Sequence, residues 1–155
     1  MRHLTVTALA TAVLALVISV PADHVTAAEA LKPPPKDRVV AMYFHRTQRC
    51  PTCQKMGSYT EEAINTGFVQ QLKERTVQFG YVDFQNKKNV AYTKAYKVTG
   101  PALVIAKVAD NKVVKFKNLK DIWSNVGNKK AFIKYVQAHI KTYRNKKATN
   151  KVATQ

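Results

Sequence analysis

The chain has 155 residues, with 26 Lys and Arg against 9 Asp and Glu, and a formal net charge of +17. That length holds one hydrophobic core, and a 46% apolar composition with 5 glycines is that of a folded protein, not of a basic tail or a low-complexity linker. The 2 cysteines, three positions apart, exclude a disulfide-dense scaffold and a Cys-rich zinc module.

A short basic start, Met1 to His3, leads into an apolar stretch from Leu4 to Val20, then Pro21 and a run of small residues ending at Ala27, Ala28 and Ala30. This is the three-part pattern of a cleavable secretory signal, expected to occupy 1–28 with the cut after one of those three alanines. The stretch is short and Thr-interrupted for a bilayer core of about 30 Å, so export of a protein without an anchor is the expectation, periplasmic or secreted. Removing 1–28 takes away one Arg and one Asp and leaves the charge at +17. Residues 29–37, with three consecutive prolines, read as an extended linker.

The continuous apolar run Arg38 to Phe44 predicts a strand covered on both faces. After His45 to Arg49 comes Cys50-Pro51-Thr52-Cys53. Pro51 suits the first turn of a helix, and Cys53, Met56, Thr60, Ala63 and Ile64 then recur at helical spacing, with Phe68 and Leu72 continuing past a bend at Gly67. Thr76 to Phe84 alternates as a strand, and Lys87 to Tyr96 reads as a helix. Pro101 precedes an apolar strand, Ala102 to Val108, which Asp110-Asn111 turns into Lys112 to Lys117 as a hairpin. Asn128 caps a final helix whose Phe132, Tyr135, Val136, His139, Ile140 and Tyr143 share one face. The folded domain is thus expected over 38–143, followed by a basic flexible tail, 144–155. The order predicts an α/β fold, βαβ then ββα, on a mixed four-stranded sheet with helices on both faces.

A CxxC between the first strand and its helix, together with a Pro before the strand of the closing hairpin, resembles the thioredoxin-like fold over roughly 38–143. The stretch Tyr43 to Cys53, with Arg49, Cys50, Thr52 and Cys53 after a Tyr-Phe-His strand end, is similar to the nitrophenyl compound nitroreductase subunit family of the ArsF type. Asn118, Leu119 and Trp123 add to that similarity. The resemblance implies a redox-active Cys50–Cys53 pair, with Pro101 in a cis peptide facing it and exposing backbone to a partner's strand. Departures from thioredoxin itself are Pro51-Thr52 between the cysteines, Arg49 in place of a Trp, and Phe44 where a buried acid normally helps move the second thiol's proton. Nitro reduction needs a flavin, and no GxGxxG stands among the 5 glycines, so no bound cofactor is expected.

At a helix N-terminus Cys50 gains from backbone N–H groups and the helix dipole, with Arg49 as a positive neighbour, so it is expected to be the attacking thiolate. Cys53, one turn on, would resolve the mixed disulfide, and His45 is close enough in sequence to carry a proton. An inert disulfide would constrain too short a loop to matter. Haem attachment requires His after the second Cys, where Gln54 stands. A metal site would have to recruit His45 or His139, and His139 fits the amphipathic face. Trp123 and the tyrosines read as packing residues. The dispersed lysines suit attraction to an anionic membrane surface or an acidic protein, and an exported protein has little access to nucleic acid.

The resulting expectation is a monomeric, exported thiol–disulfide oxidoreductase acting on a partner's disulfide or dithiol. The alternative is a non-catalytic accessory subunit that docks through its basic surface.

Overall fold

The computed structural model describes residues 33–145. The expected signal segment, the first part of the linker and the tail from 146 onward lie outside the described residues. In chain order the elements are β1 (Arg38–His45), α1 (Pro51–Gly67), α2 (Val69–Lys73), β2 (Val77–Asp83), a 3-10 turn (Lys87–Asn89), α3 (Val90–Ala95), β3 (Ala102–Ala109), β4 (Lys112–Asn118), α4 (Ile122–Asn125) and α5 (Lys129–Asn145).

The four strands form one mixed sheet in the order β2-β1-β3-β4. β1 runs parallel to β2, from Val39 opposite Val77 to His45 opposite Asp83, and antiparallel to β3, with Phe44 opposite Ala102. β1 is therefore central, and its continuous apolar run has two faces to bury. Val39, Ala41 and Tyr43 join α1 and α5 in one core with Met56, Ile64, Phe68, Phe132, Val136 and Ile140. Met42 and Phe44 face the other way, against Tyr96, Val98 and Val104. β2 lies at an edge with only Val77 buried, and β4 forms the opposite edge.

α1 starts where Pro51 needs no partner for a missing N–H, and it buries Cys53, Met56, Gly57, Thr60, Ala63 and Ile64. The buried Thr60 hydroxyl donates to the Met56 carbonyl at 2.8 Å, so its burial leaves no unpaired donor. The helix stops at Gly67, and Phe68, buried, turns the chain into α2. On α5 the predicted stripe divides: Phe132, Val136, Ile140 and Tyr143 are buried, while Tyr135 and His139 meet edge to face, half-buried, with ring centroids 4.7 Å apart. Asn128 Oδ1 accepts the Ala131 N–H at 3.0 Å, the expected cap. α5 continues through Asn145, past the boundary at 143, because helical backbone bonds do not require an apolar side chain at each turn.

Asp110 and Asn111 both adopt positive φ, 47° and 61°, as a two-residue hairpin loop of the primed type requires. This turn also holds the end of the Pro-rich segment. The Asp37 carboxylate accepts the Asp110 N–H at 2.9 Å, the Lys36 carbonyl accepts the Asn111 N–H at 3.1 Å, and Arg38 donates to both the Pro35 carbonyl and Asn111 Oδ1 at 2.8 Å. Residues 35–37 are thus joined to the fold, because prolines remove donors and leave carbonyl acceptors in place. The cis bond implied for Pro101 is not found: no peptide bond among the described residues is cis. No helix among the described residues is long and apolar enough to cross a membrane.

Candidate functional site

The C-terminal end of β1 delivers the chain into residues 46–49, and these end at Cys50. The loop is fixed from the side by the end of β2. Thr47 Oγ1 donates to Asp83 Oδ2 at 2.7 Å, the Thr47 N–H donates to Gln85 Oε1 at 3.0 Å, and the Gln85 N–H donates to Asp83 Oδ1 at 2.9 Å. These bonds favour the ionised carboxylate, so Asp83 is held below the usual range, chiefly by the Thr47 hydroxyl.

Cys50 is the N-cap of α1, exposed, with extended backbone. Its sulfur accepts the Cys53 N–H at 3.2 Å, the position a Ser or Asp side chain takes at other helix starts. The Cys50 and Cys53 sulfurs lie 2.6 Å apart, a small movement from the ~2.05 Å of a disulfide bond. Cys53 is buried, at 4% exposure. The two thiols are pushed apart in acidity. The Cys53 thiol, hydrogen-bonded to Cys50, lowers the Cys50 pKa most, followed by the Cys53 backbone N–H, with the Thr52 N–H adding to it. Burial raises Cys53, and its bond to Cys50 raises it further. One thiol is therefore exposed and the more acidic of the two, the other shielded and the less acidic.

Two tyrosines frame the pair. Tyr43, fully buried on β1, donates its hydroxyl to the Cys53 carbonyl at 2.8 Å, and burial holds that phenol well above its ordinary pKa. Tyr81 on β2 meets Tyr43 edge to face, 5.9 Å between centroids, and donates to Glu61 Oε2 at 2.9 Å. Burial and that bond push its pKa up to about 12. The Arg49 guanidinium carbon lies 4.7 Å from the Tyr81 ring centroid. Both rings approach α1 at Gly57, where a Cβ would fall 3.0 Å from Tyr81 and 3.1 Å from Tyr43.

The structure brings Arg49, Cys50, Pro51, Thr52 and Cys53 together at the start of α1. His45 is buried beside them, its Nδ1 2.8 Å from the Arg46 carbonyl and its ring 5.9 Å from Tyr81. Among the described residues no hydrogen bond joins His45 to either sulfur, and its charge is one of the groups that hold Asp83 low. Pro101 immediately precedes Ala102, the partner of Phe44, and so stands level with His45 at the same end of the sheet. Phe44, in the position discussed for a buried acid, packs on the opposite face against Tyr96. No cluster of three or more His, Cys, Asp or Glu suited to a metal is present among the described residues.

Four contributors carry no local signature of a site: in the sequence Tyr43 and Tyr81 read as packing residues, Asp83 as one side of an alternating strand, and Arg46, whose charge lowers Cys53, as a loop residue. The available signal was parity. Tyr43 lies on the strand face that must meet the CxxC helix, and once β1 and β2 are paired Tyr81 falls beside it.

No family model matches the chain, and no curated protein matches it. Among solved structures it is similar to one described as the structure of a malarial protein, with 13% identity over 59% of this chain and 96% of that one, and a TM-score of 0.35. A likeness that distant carries neither fold family nor function.

Proposed function

We propose that the protein is a thioredoxin-like thiol–disulfide oxidoreductase acting through Cys50 and Cys53. The observation that carries this reading is the asymmetry of the pair: an exposed sulfur that accepts a helix-start N–H, beside a buried one whose thiol is held less acidic. The α/β architecture, with the CxxC between a central strand and its helix, supports the fold assignment. The resemblance of Tyr43 to Cys53 to the ArsF-type subunit family supports a thiol-redox component, and the residues of 1–28 support export.

In the proposed reaction the Cys50 thiolate attacks one sulfur of a partner's disulfide. A Cys50–partner bond forms, and the partner's other sulfur leaves as a thiolate that takes up a proton. Cys53 loses its proton and attacks the Cys50 sulfur, releasing the second partner thiol and leaving a Cys50–Cys53 disulfide. The partner gains the two electrons that the pair gives up, and the reverse sequence oxidises a partner dithiol. Burial and the bond to Cys50 hold the Cys53 thiol up in the reduced pair; the backbone of Cys50 and then the Arg46 charge act in the other direction.

The test is the reduction potential of the pair, expected above about −300 mV. A pair that stays oxidised against reductants well below that value is structural, and the proposal fails. Cys53→Ala is expected to accumulate mixed disulfides through Cys50, and Cys50→Ala is not; equal trapping by both variants would reverse or remove the assigned roles.

A further inference from the structure

β4 leaves three large apolar side chains in solvent, Val113 at 49%, Val114 at 55% and Phe116 at 39% exposure. It is an edge strand, so one row of its backbone N–H and C=O groups has no neighbouring strand. Phe116 lies opposite Ala106, on the sheet face that carries α3, and meets the Tyr96 ring with centroids 5.1 Å apart. α3 is only six residues long and does not cover this half of the sheet, so Ala95, Tyr96, Val113, Val114, Lys115 and Phe116 line a groove of about 410 Å³. Lys117 lies opposite Ile105 on the other face, and the Lys115 ammonium sits 5.7 Å from the Tyr143 ring on α5. No acid pairs with Lys115 or Lys117 among the described residues.

Over Lys115 to Lys117 the edge therefore presents Phe116 on one face and the two lysines on the other, with an open backbone between them, and a bulge opposite Lys107 and Val108 interrupts this alternation at Val113 and Val114. We infer that β4 is a docking edge for an extended segment of a partner protein in which apolar and acidic residues alternate. Such a segment would pair its backbone with β4, set its apolar side chains over Phe116 and Tyr96, and set its carboxylates beside Lys115 and Lys117. Charge argues against a second copy, and the open backbone argues against a lipid surface. Lysines on an edge strand repel a second copy of the same edge, and this chain is cationic as a whole. An anionic bilayer would meet the lysines but offers no strand for the backbone. The inference does not depend on the redox reading, since β4 is separated from β1 by β3.

The probe is a labelled seven-residue synthetic peptide alternating glutamate with valine and phenylalanine, matching the seven residues of β4. It is titrated into the full chain, with amide hydrogen exchange read in parallel. The expected result is binding that slows exchange at alternate amides of 115–118, beyond the bulge, and weakens at least tenfold when salt is raised from low to physiological. The same peptide with lysine for glutamate is not expected to bind. Lys115→Glu and Val114→Glu, both at exposed positions, should each weaken binding at least tenfold while the melting temperature stays unchanged; Phe116→Ala serves as a milder second probe of the groove. Equal binding of both peptides, protection elsewhere in the chain, or full affinity in both Glu variants would overturn the inference. So would sedimentation with anionic phosphatidylglycerol vesicles in the absence of peptide binding, or self-association that Val114→Glu abolishes.

Discussion

Cys50 owes its character to three donors that converge because α1 begins at Pro51: the Cys53 thiol and the backbone N–H groups of Cys53 and Thr52. A thiol in an unfolded chain titrates near ~8.5. Held below its ordinary value in the folded, reduced protein, Cys50 adds stability above the unfolded pKa, and that stability is lost as pH falls through the lowered value. Alkylation by iodoacetamide should stay fast below pH 8, with Cys53 the slow site. Because the Cys53 thiol is the largest cause, the Cys50 midpoint should rise in Cys53→Ala; a midpoint that does not move would assign the effect to the helix start alone. Tyr43 contributes differently. Its hydroxyl bond to the Cys53 carbonyl is buried, and Tyr43→Phe should cost about 1 kcal/mol in urea unfolding without altering the melting cooperativity. A loss near zero would mean that water or a shifted ring replaces the bond.

At the scale of elements, the site is a junction of β1, β2 and α1. The Thr47–Asp83 and Thr47–Gln85 bonds hold the loop, and Gly57 lets both tyrosine rings close on the helix. Replacing a helix glycine by alanine ordinarily gains about 1 kcal/mol, but here the new methyl meets a fully buried ring with no room to retreat. Gly57→Ala should therefore destabilise the protein, by about 1 kcal/mol net, and disturb the near-ultraviolet tyrosine signal. A stabilised variant would show that Tyr81, on the edge strand, gives way. The Cys50 position at the start of α1 was legible because Pro51 and the apolar stripe are local signals. The Tyr43–Tyr81 contact was not, because it requires the parallel register of strands separated by an entire helix.

For the molecule as a whole, the formal net charge is +17, from 26 Lys and Arg against 9 Asp and Glu. Long-range attraction of this kind acts on encounter rate and is screened by salt with a Debye length of about 8 Å at physiological strength. Disulfide exchange with an acidic protein partner should slow several-fold between low and physiological salt, while exchange with a small neutral disulfide should hold constant. Equal salt dependence for both would remove charge from partner selection.

The amino-acid sequence by itself determined the four strands and the helices that follow Cys50, Lys87 and Asn128, though not the short α4, together with the two apolar faces of β1, the hairpin at Asp110-Asn111 and the seating of Cys50 at a helix start. Each of these follows from residues within a few positions of one another, where periodicity and turn chemistry operate. Tertiary structure alone decided that α1 and α5 share one face, that Tyr43 and Tyr81 close over Gly57, that residues 35–37 join the hairpin turn, and that β4 is left as an open, lysine-lined edge. Those outcomes depend on strand order and register across long separations, and local propensity carries no record of either.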